Sequence, residues 1–172
     1  MTDISYERYP GERVAEILDA VIELYLEIRS ERAGEHYEMF SLANFIERTN
    51  SQAQKDGFEL IAATSEHALV GFSFGYSMAV GQWWADCPPP PQDILANSKL
   101  AVIELNVRKS CRGQGVGKKL MDILVSGRPE KYATLAARPD SPAHAMYIRW
   151  GWYAVGVFKT PPVMDAMVLP IG

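Results

Sequence analysis

Residues 103–120 read Ile-Glu-Leu-Asn-Val-Arg-Lys-Ser-Cys-Arg-Gly-Gln-Gly-Val-Gly-Lys-Lys-Leu, and they carry the chemistry most visible in this chain. An apolar stretch ends at Val107. A short basic turn follows, and Gly113, Gly115 and Gly117 then lead into a helical pattern. The first turn of a helix presents N–H groups without intrahelical partners, at the positive end of the helix dipole. Glycines clear away side chains, so that backbone can close around an anion. Arg108, Lys109, Arg112 and Lys118 add positive charge. These residue types at this spacing point to a polyphosphate site. Two nucleotide signatures fail on it. A P-loop ending at Gly117-Lys118 would need glycine at 112 and Ser or Thr at 119, where Arg112 and Lys119 stand. The alternate spacing of the glycines, late in the chain, is not the Gly-x-Gly-x-x-Gly of a dinucleotide fold.

The elements that must position this loop are legible in the hydrophobic periodicity. From Gly11 to Arg29, Val14, Ile17, Leu18, Val21, Leu24, Tyr25 and Ile28 recur at helical steps, which predicts one amphipathic helix. Ser41 is placed to cap a second helix carrying Leu42, Phe45 and Ile46. Ser30 to Phe40 between them reads as a polar and aromatic connection. Phe58–Ala63 and Leu69–Met78 read as an antiparallel strand pair about a turn at Ser65-Glu66-His67. In the second of these strands Gly71, Ser73, Gly75 and Ser77 share one face, which leaves room for something bulky against it. Trp83, Trp84 and the four prolines Pro88 to Pro91 mark an aromatic loop.

Leu100–Val107 reads as a buried strand, with Ile103 and Leu105 facing the core and Glu104 and Asn106 sharing the opposite face. Gly115–Ser126 reads as a helix with Val116, Leu120, Ile123 and Leu124 inward, closed by Gly127. Tyr132–Ala137 is a further strand. Ser141-Pro142 starts a helix whose inward stripe is Ala143, Met146, Tyr147 and Trp150. Trp152–Phe158 and Val163–Leu169 are the last strands. His144 reads as a free histidine on that helix's surface. The order of elements predicts a mixed α/β domain over residues 1–172, with no repeat and no linker.

The pattern Arg112-x-x-Gly115-x-Gly117 resembles the coenzyme A pyrophosphate loop of the GCN5-related N-acetyltransferase (GNAT) family. Glu104-Leu105-Asn106-Val107 is similar to that family's central strand ending, Glu-Leu-x-Val. Ala143, Tyr147 and Gly151 match its late helix, with Trp152 in place of the usual Phe and Asp140 where Asn is common. The resemblance implies a mostly antiparallel sheet whose central strands splay apart around acetyl-CoA. It implies that backbone of Leu105, Asn106 and Val107 pairs with the pantetheine arm. The pyrophosphate would rest on the loop Arg112, Gly113, Gln114, Gly115, Val116, Gly117 and Lys118, at the N–H groups of Gln114 through Lys118. Tyr147 would be the general acid beside the cofactor. Glu104 is the candidate base, directly or through water, with a structural or substrate-orienting role as its plainer alternative. The implied activity is direct acetyl transfer from acetyl-CoA to a primary amine. A non-catalytic acyl-CoA-binding module is the alternative.

Composition sets outer bounds. The formal net charge is −4, which argues against a nucleic-acid partner. It also suits a cationic acceptor, and Glu35, Glu38, Asp86 and Asp93 lie in the segments expected to choose one. Cys87 and Cys111 form no metal-binding pattern, so no metal is expected, and two isolated thiols suit a reducing, cytoplasmic setting. No apolar signal core or membrane-length apolar run is seen, so no membrane partner is expected. The acceptor, whether small-molecule amine or peptide, is not encoded in any motif. Exposed aromatics and the late strand pair are compatible with a homodimer.

Overall fold

A computed structural model describes residues 3–32 and 34–172. Seven strands form one sheet in the order β1-β2-β3-β4-β5-β7-β6: β1 Ser5–Pro10, β2 Glu59–Ser65, β3 Ala68–Met78, β4 Lys99–Val107, β5 Tyr132–Ala137, β6 Tyr153–Val157 and β7 Asp165–Pro170. Among the described residues five α-helices accompany it: α1 Leu18–Arg29, α2 Leu42–Gln52, the single turn α3 Gln92–Leu95, α4 Val116–Val125 and α5 Pro142–Arg149. This is the expected mixed α/β, mostly antiparallel architecture. β1 went unread in the sequence because Tyr6, Glu7, Arg8 and Tyr9 have little apolar alternation; it pairs with β2 at one edge of the sheet. No helix among the described residues is long and apolar enough to cross a membrane.

The chain gathers into two compact units. One comprises Met1–Tyr76 with Glu104–Leu124, the other Ser77–Ile103 with Val125–Gly172.

In the first unit the expected helix over Gly11–Arg29 is broken. Gly11–Glu16 is a 3-10 turn, and Ile17 closes it by donating its N–H to the Val14 carbonyl at 3.0 Å. Only from Leu18 onward is the chain α-helical, with Val21, Leu24 and Tyr25 buried. The connection expected over Ser30–Phe40 includes Ala33, which lies outside the described residues; 3-10 turns flank it at Ser30–Arg32 and Glu38–Phe40. Ser41 does cap α2, accepting the Asn44 N–H at 3.2 Å. Glu66 and His67, both at positive φ, make the two-residue turn between β2 and β3. α4 lies against the small-residue face of β3. A Cβ on Gly71 would come within 3.0 Å of Leu120 Cδ1 and 3.1 Å of the Asn106 carbonyl. Ser73 donates its hydroxyl to the Leu120 carbonyl at 3.4 Å. The buried face of α4 is Val116, Leu120, Met121 and Leu124; Met121 takes the place expected for Ile123, which is half-buried.

In the second unit β7 pairs antiparallel with both β5 and β6. β4 runs parallel to β5 over Lys99↔Tyr132, Leu100↔Ala133 and Ala101↔Thr134, and the ladder then stops. Lys99 is fully buried, and its ammonium donates to the carbonyls of Ala79, Leu95 and Asn97 at 3.3, 3.4 and 2.8 Å. One cation thereby gathers the ends of the proline-rich loop. Trp84 anchors the same loop by donating its indole N–H to Thr134 Oγ1 at 3.0 Å.

Candidate functional site

The glycine loop belongs to the first unit. After a 3-10 turn at Lys109–Cys111, Gly113 and Gly115 take φ of 74° and 82°, where other residues are strained. A Cβ at either would meet nothing within 4 Å, so the loop presents open backbone. The helical ladder begins with the Lys119 N–H donating to the Gly115 carbonyl at 3.0 Å, so the N–H groups of Val116, Gly117 and Lys118 precede it. An open cradle of N–H groups at the head of a ten-residue helix fits a pyrophosphate.

The basic residues around this cradle are differently employed. Arg112 makes a bidentate pair with Glu31, at 2.7 and 2.8 Å, and donates through Nε to the Val107 carbonyl at 2.9 Å. Its guanidinium holds the Glu31 carboxyl below the usual range. Arg108 pairs with Glu27 at 3.0 Å, and Lys118 pairs with Asp122. Glu27 lies in the last turn of α1 and Glu31 in the 3-10 turn that follows it, so two ion pairs tie this stretch to the loop. The spacing of the acids was readable; their partners, 81 residues away, were not.

At the end of β4, Glu104 and Asn106 do share a face, and Asn106 Nδ2 donates to Glu104 Oε2 at 2.9 Å. The other carboxylate oxygen accepts from Arg48 Nη2 of α2 at 3.0 Å. Burial pushes the Glu104 carboxyl up from its ordinary range, while Arg48, the Asn106 hydrogen bond and Arg29 pull it back. Arg48 is fixed in turn: Nη1 donates to the Met39 carbonyl at 3.1 Å, and the guanidinium lies 5.8 Å from the Phe45 ring centroid. Phe45 stacks on Tyr25 at 3.8 Å, and Tyr25 donates its hydroxyl to the Phe40 carbonyl at 2.8 Å. Ile103 and Leu105, expected in the core, are half-buried, as are Asn106 and Val107; full burial on β4 ends at Val102. Sequence reasoning missed Arg48. The signal available was a charged residue beside Phe45 and Thr49, which mark the buried side of α2.

Tyr147 belongs to the second unit. It is buried on α5, with its ring 5.7 Å from Trp150 and 5.8 Å from Trp152. Ser141 caps this helix as expected, accepting the His144 N–H at 3.3 Å. His144 is not free: its Nε2 lies 2.8 Å from Asp165 Oδ2 on β7. Asp140 pairs with Arg138 at 3.2 Å. Cys87 is buried and Cys111 half-buried, both as free thiols.

A sequence profile of the Acetyltransferase (GNAT) family matches residues 18–152. No curated protein matches the chain in sequence. Among solved structures, Ard1 from Thermoplasma volcanium is similar, with a TM-score of 0.66 at 15% identity over 98% of both chains. Escherichia coli ElaA gives 0.65 at 15% identity, over 96% of this chain and 99% of that one. The PaiA N-acetyltransferase from Thermoplasma acidophilum, in complex with coenzyme A, gives 0.62 at 16% identity, over 98% and 99%. At these identities the likeness is one of fold.

Proposed function

The chain belongs to the Acetyltransferase (GNAT) family, and from that premise we propose that it moves the acetyl group of acetyl-CoA directly onto a primary amine of a small molecule or peptide. The observation that carries this is the open glycine loop heading α4, directly after the strand whose end bears Glu104. The loop from Arg112 to Lys118 takes the pyrophosphate on its N–H groups. Arg112, engaged with Glu31 and Val107, braces that loop. Backbone of Leu105, Asn106 and Val107 receives the pantetheine arm. Residues 1–172 act as one domain in the cytoplasm, a setting that two free thiols suit.

The chemistry asks three things of the protein. An incoming ammonium must lose a proton, the developing oxyanion needs a donor, and the departing thiolate needs a proton. Glu104 accepts the first proton, directly or through water. The amine nitrogen then bonds to the thioester carbon, a β4 backbone N–H meets the oxyanion, and the C–S bond breaks. Tyr147 gives its hydroxyl proton to the thiolate, and the second proton shed by the nitrogen passes through water to restore that hydroxyl. Net, ammonium and acetyl-CoA become amide, free thiol and the one proton that Glu104 accepted.

The deciding experiment is thiol release from acetyl-CoA against a panel of amines, amino acids and peptides. Turnover with at least one acceptor is expected, falling about 100-fold or more in Glu104→Gln, as for loss of a general base. Bound coenzyme A without turnover on any acceptor would leave a binding module instead.

A further inference from the structure

Glu104 and Arg48 are 56 residues apart in sequence and 3.0 Å apart in the fold. Their side chains are only 17% and 27% exposed, so water screens the pair weakly. A carboxylate at such a site, left alone, takes back its proton. Two side chains oppose that by direct contact: Arg48 on one oxygen and Asn106 on the other. Each oxygen keeps a further lone pair for an ammonium or a water. The guanidinium is itself immobilised, by the Met39 carbonyl and the Phe45 ring, so the carboxylate has one orientation.

Among the described residues, the other groups whose charge acts with that of Glu104 are Arg29 and Tyr25 of α1. Arg29 donates to Glu35 at 3.0 Å and lies 4.1 Å from the Phe40 ring centroid; Tyr25 is occupied with the Phe40 carbonyl. Arg48 is the cation in contact with the carboxylate.

We propose that Arg48 is a positioning residue for acetyl transfer, holding the Glu104 carboxylate ionised and in one orientation so that it accepts the acceptor's proton. This rests on the acetyl-transfer reading above, and its test is chosen to stand apart from it. The Glu104 carboxyl carbon is followed by NMR against pH in the coenzyme A-saturated protein, with Glu104→Gln identifying the resonance. In Arg48→Gln the titration midpoint moves up by about one pH unit or more, the range for loss of a contacting opposite charge. Arg48→Lys, which keeps the charge, titrates close to the parent. The acid limb of thiol release against pH, with the best amine of the panel, follows the same order.

An unmoved midpoint in a folded Arg48→Gln would overturn the proposal. Should that variant not fold, Arg48→Met, which keeps the aliphatic stem and drops the charge, decides: a midpoint raised by about one pH unit or more supports the role, and an unmoved one overturns it. The NMR titration needs no acceptor, so a silent amine panel counts against acetyl transfer while the coupling is still measured. Parental turnover in Glu104→Gln would overturn the pair's catalytic role even with the coupling intact.

Discussion

Glu104 sits under two opposing influences, and their balance has a thermodynamic consequence. Burial is the larger and raises its pKa in the folded protein; Arg48, Asn106 and Arg29 lower it. Above the ordinary carboxyl range the unfolded chain has given up this proton while the folded chain still holds it. The folded state then binds more protons, so Glu104's contribution to stability falls as pH rises from the ordinary value through the raised one. Glu104→Gln lacks that decline. Denaturation of parent and variant across this window is expected to show the difference, variant minus parent, rising with pH. A flat or falling difference would contradict the sign. Tyr147 offers a cleaner separation of function from packing. Tyr147→Phe keeps the ring against Trp150 and Trp152 and removes only the hydroxyl. Thiol release is expected to fall about 100-fold; undiminished turnover would remove Tyr147 from the reaction. Strand alternation alone puts Glu104 and Asn106 on one face. It does not find Arg48 or pair His144 with Asp165, because both contacts join residues from different elements with no shared period.

Elements were legible where a local signal was complete. β5 and α5 fall where expected, the first from a short apolar run and the second from a serine cap followed by proline. The helix over Gly11–Arg29 was half right, since apolar spacing near three does not separate a 3-10 turn from an α-helix. β1 and α3 escaped because one is polar and the other has four residues between Pro91 and Ala96. The small face of β3 was the most productive element-scale signal: the room at Gly71 and Ser73 is taken by α4, the helix that carries the cradle. Gly71→Val tests the dependence. A Cβ already meets Leu120 Cδ1 and the Asn106 carbonyl, and two further methyls add overlap. Overpacking of about 1–3 kcal/mol is expected, read as a lowered melting temperature. Because α4 and the end of β4 must both yield, coenzyme A affinity falls too. Valine tolerated without either loss would mean that α4 is not seated there.

At the scale of the whole molecule, the donor and the acceptor differ in how much sequence reveals. Four acids were expected to welcome a cationic acceptor, and each already has a partner in the fold. Glu35 pairs with Arg29, Glu38 takes the Asn44 amide, Asp86 the Thr160 N–H and Asp93 the Tyr132 hydroxyl. Among the described residues only Glu35 of the four is matched by a cation; Glu38, Asp86 and Asp93 accept neutral donors and keep their charge. The glycine loop is contiguous, and Gly113 and Gly115 in it take positive φ, so its backbone course was written in six consecutive residues. That contiguity makes the last prediction direct. A ligand that binds only the folded chain stabilises it by about 2.7 kcal/mol at one hundred times its Kd. Coenzyme A in such excess is expected to raise the melting temperature of the parent. Gly115→Val places a branched residue at φ 82°, at a cost of about 1–2 kcal/mol. The site is exposed and open, so the variant still folds, but its N–H groups lose the aim that a pyrophosphate requires. Its melting temperature without ligand should fall modestly, and the rise on adding coenzyme A should largely vanish. A full parental rise in Gly115→Val would show that the cofactor is held somewhere other than this loop.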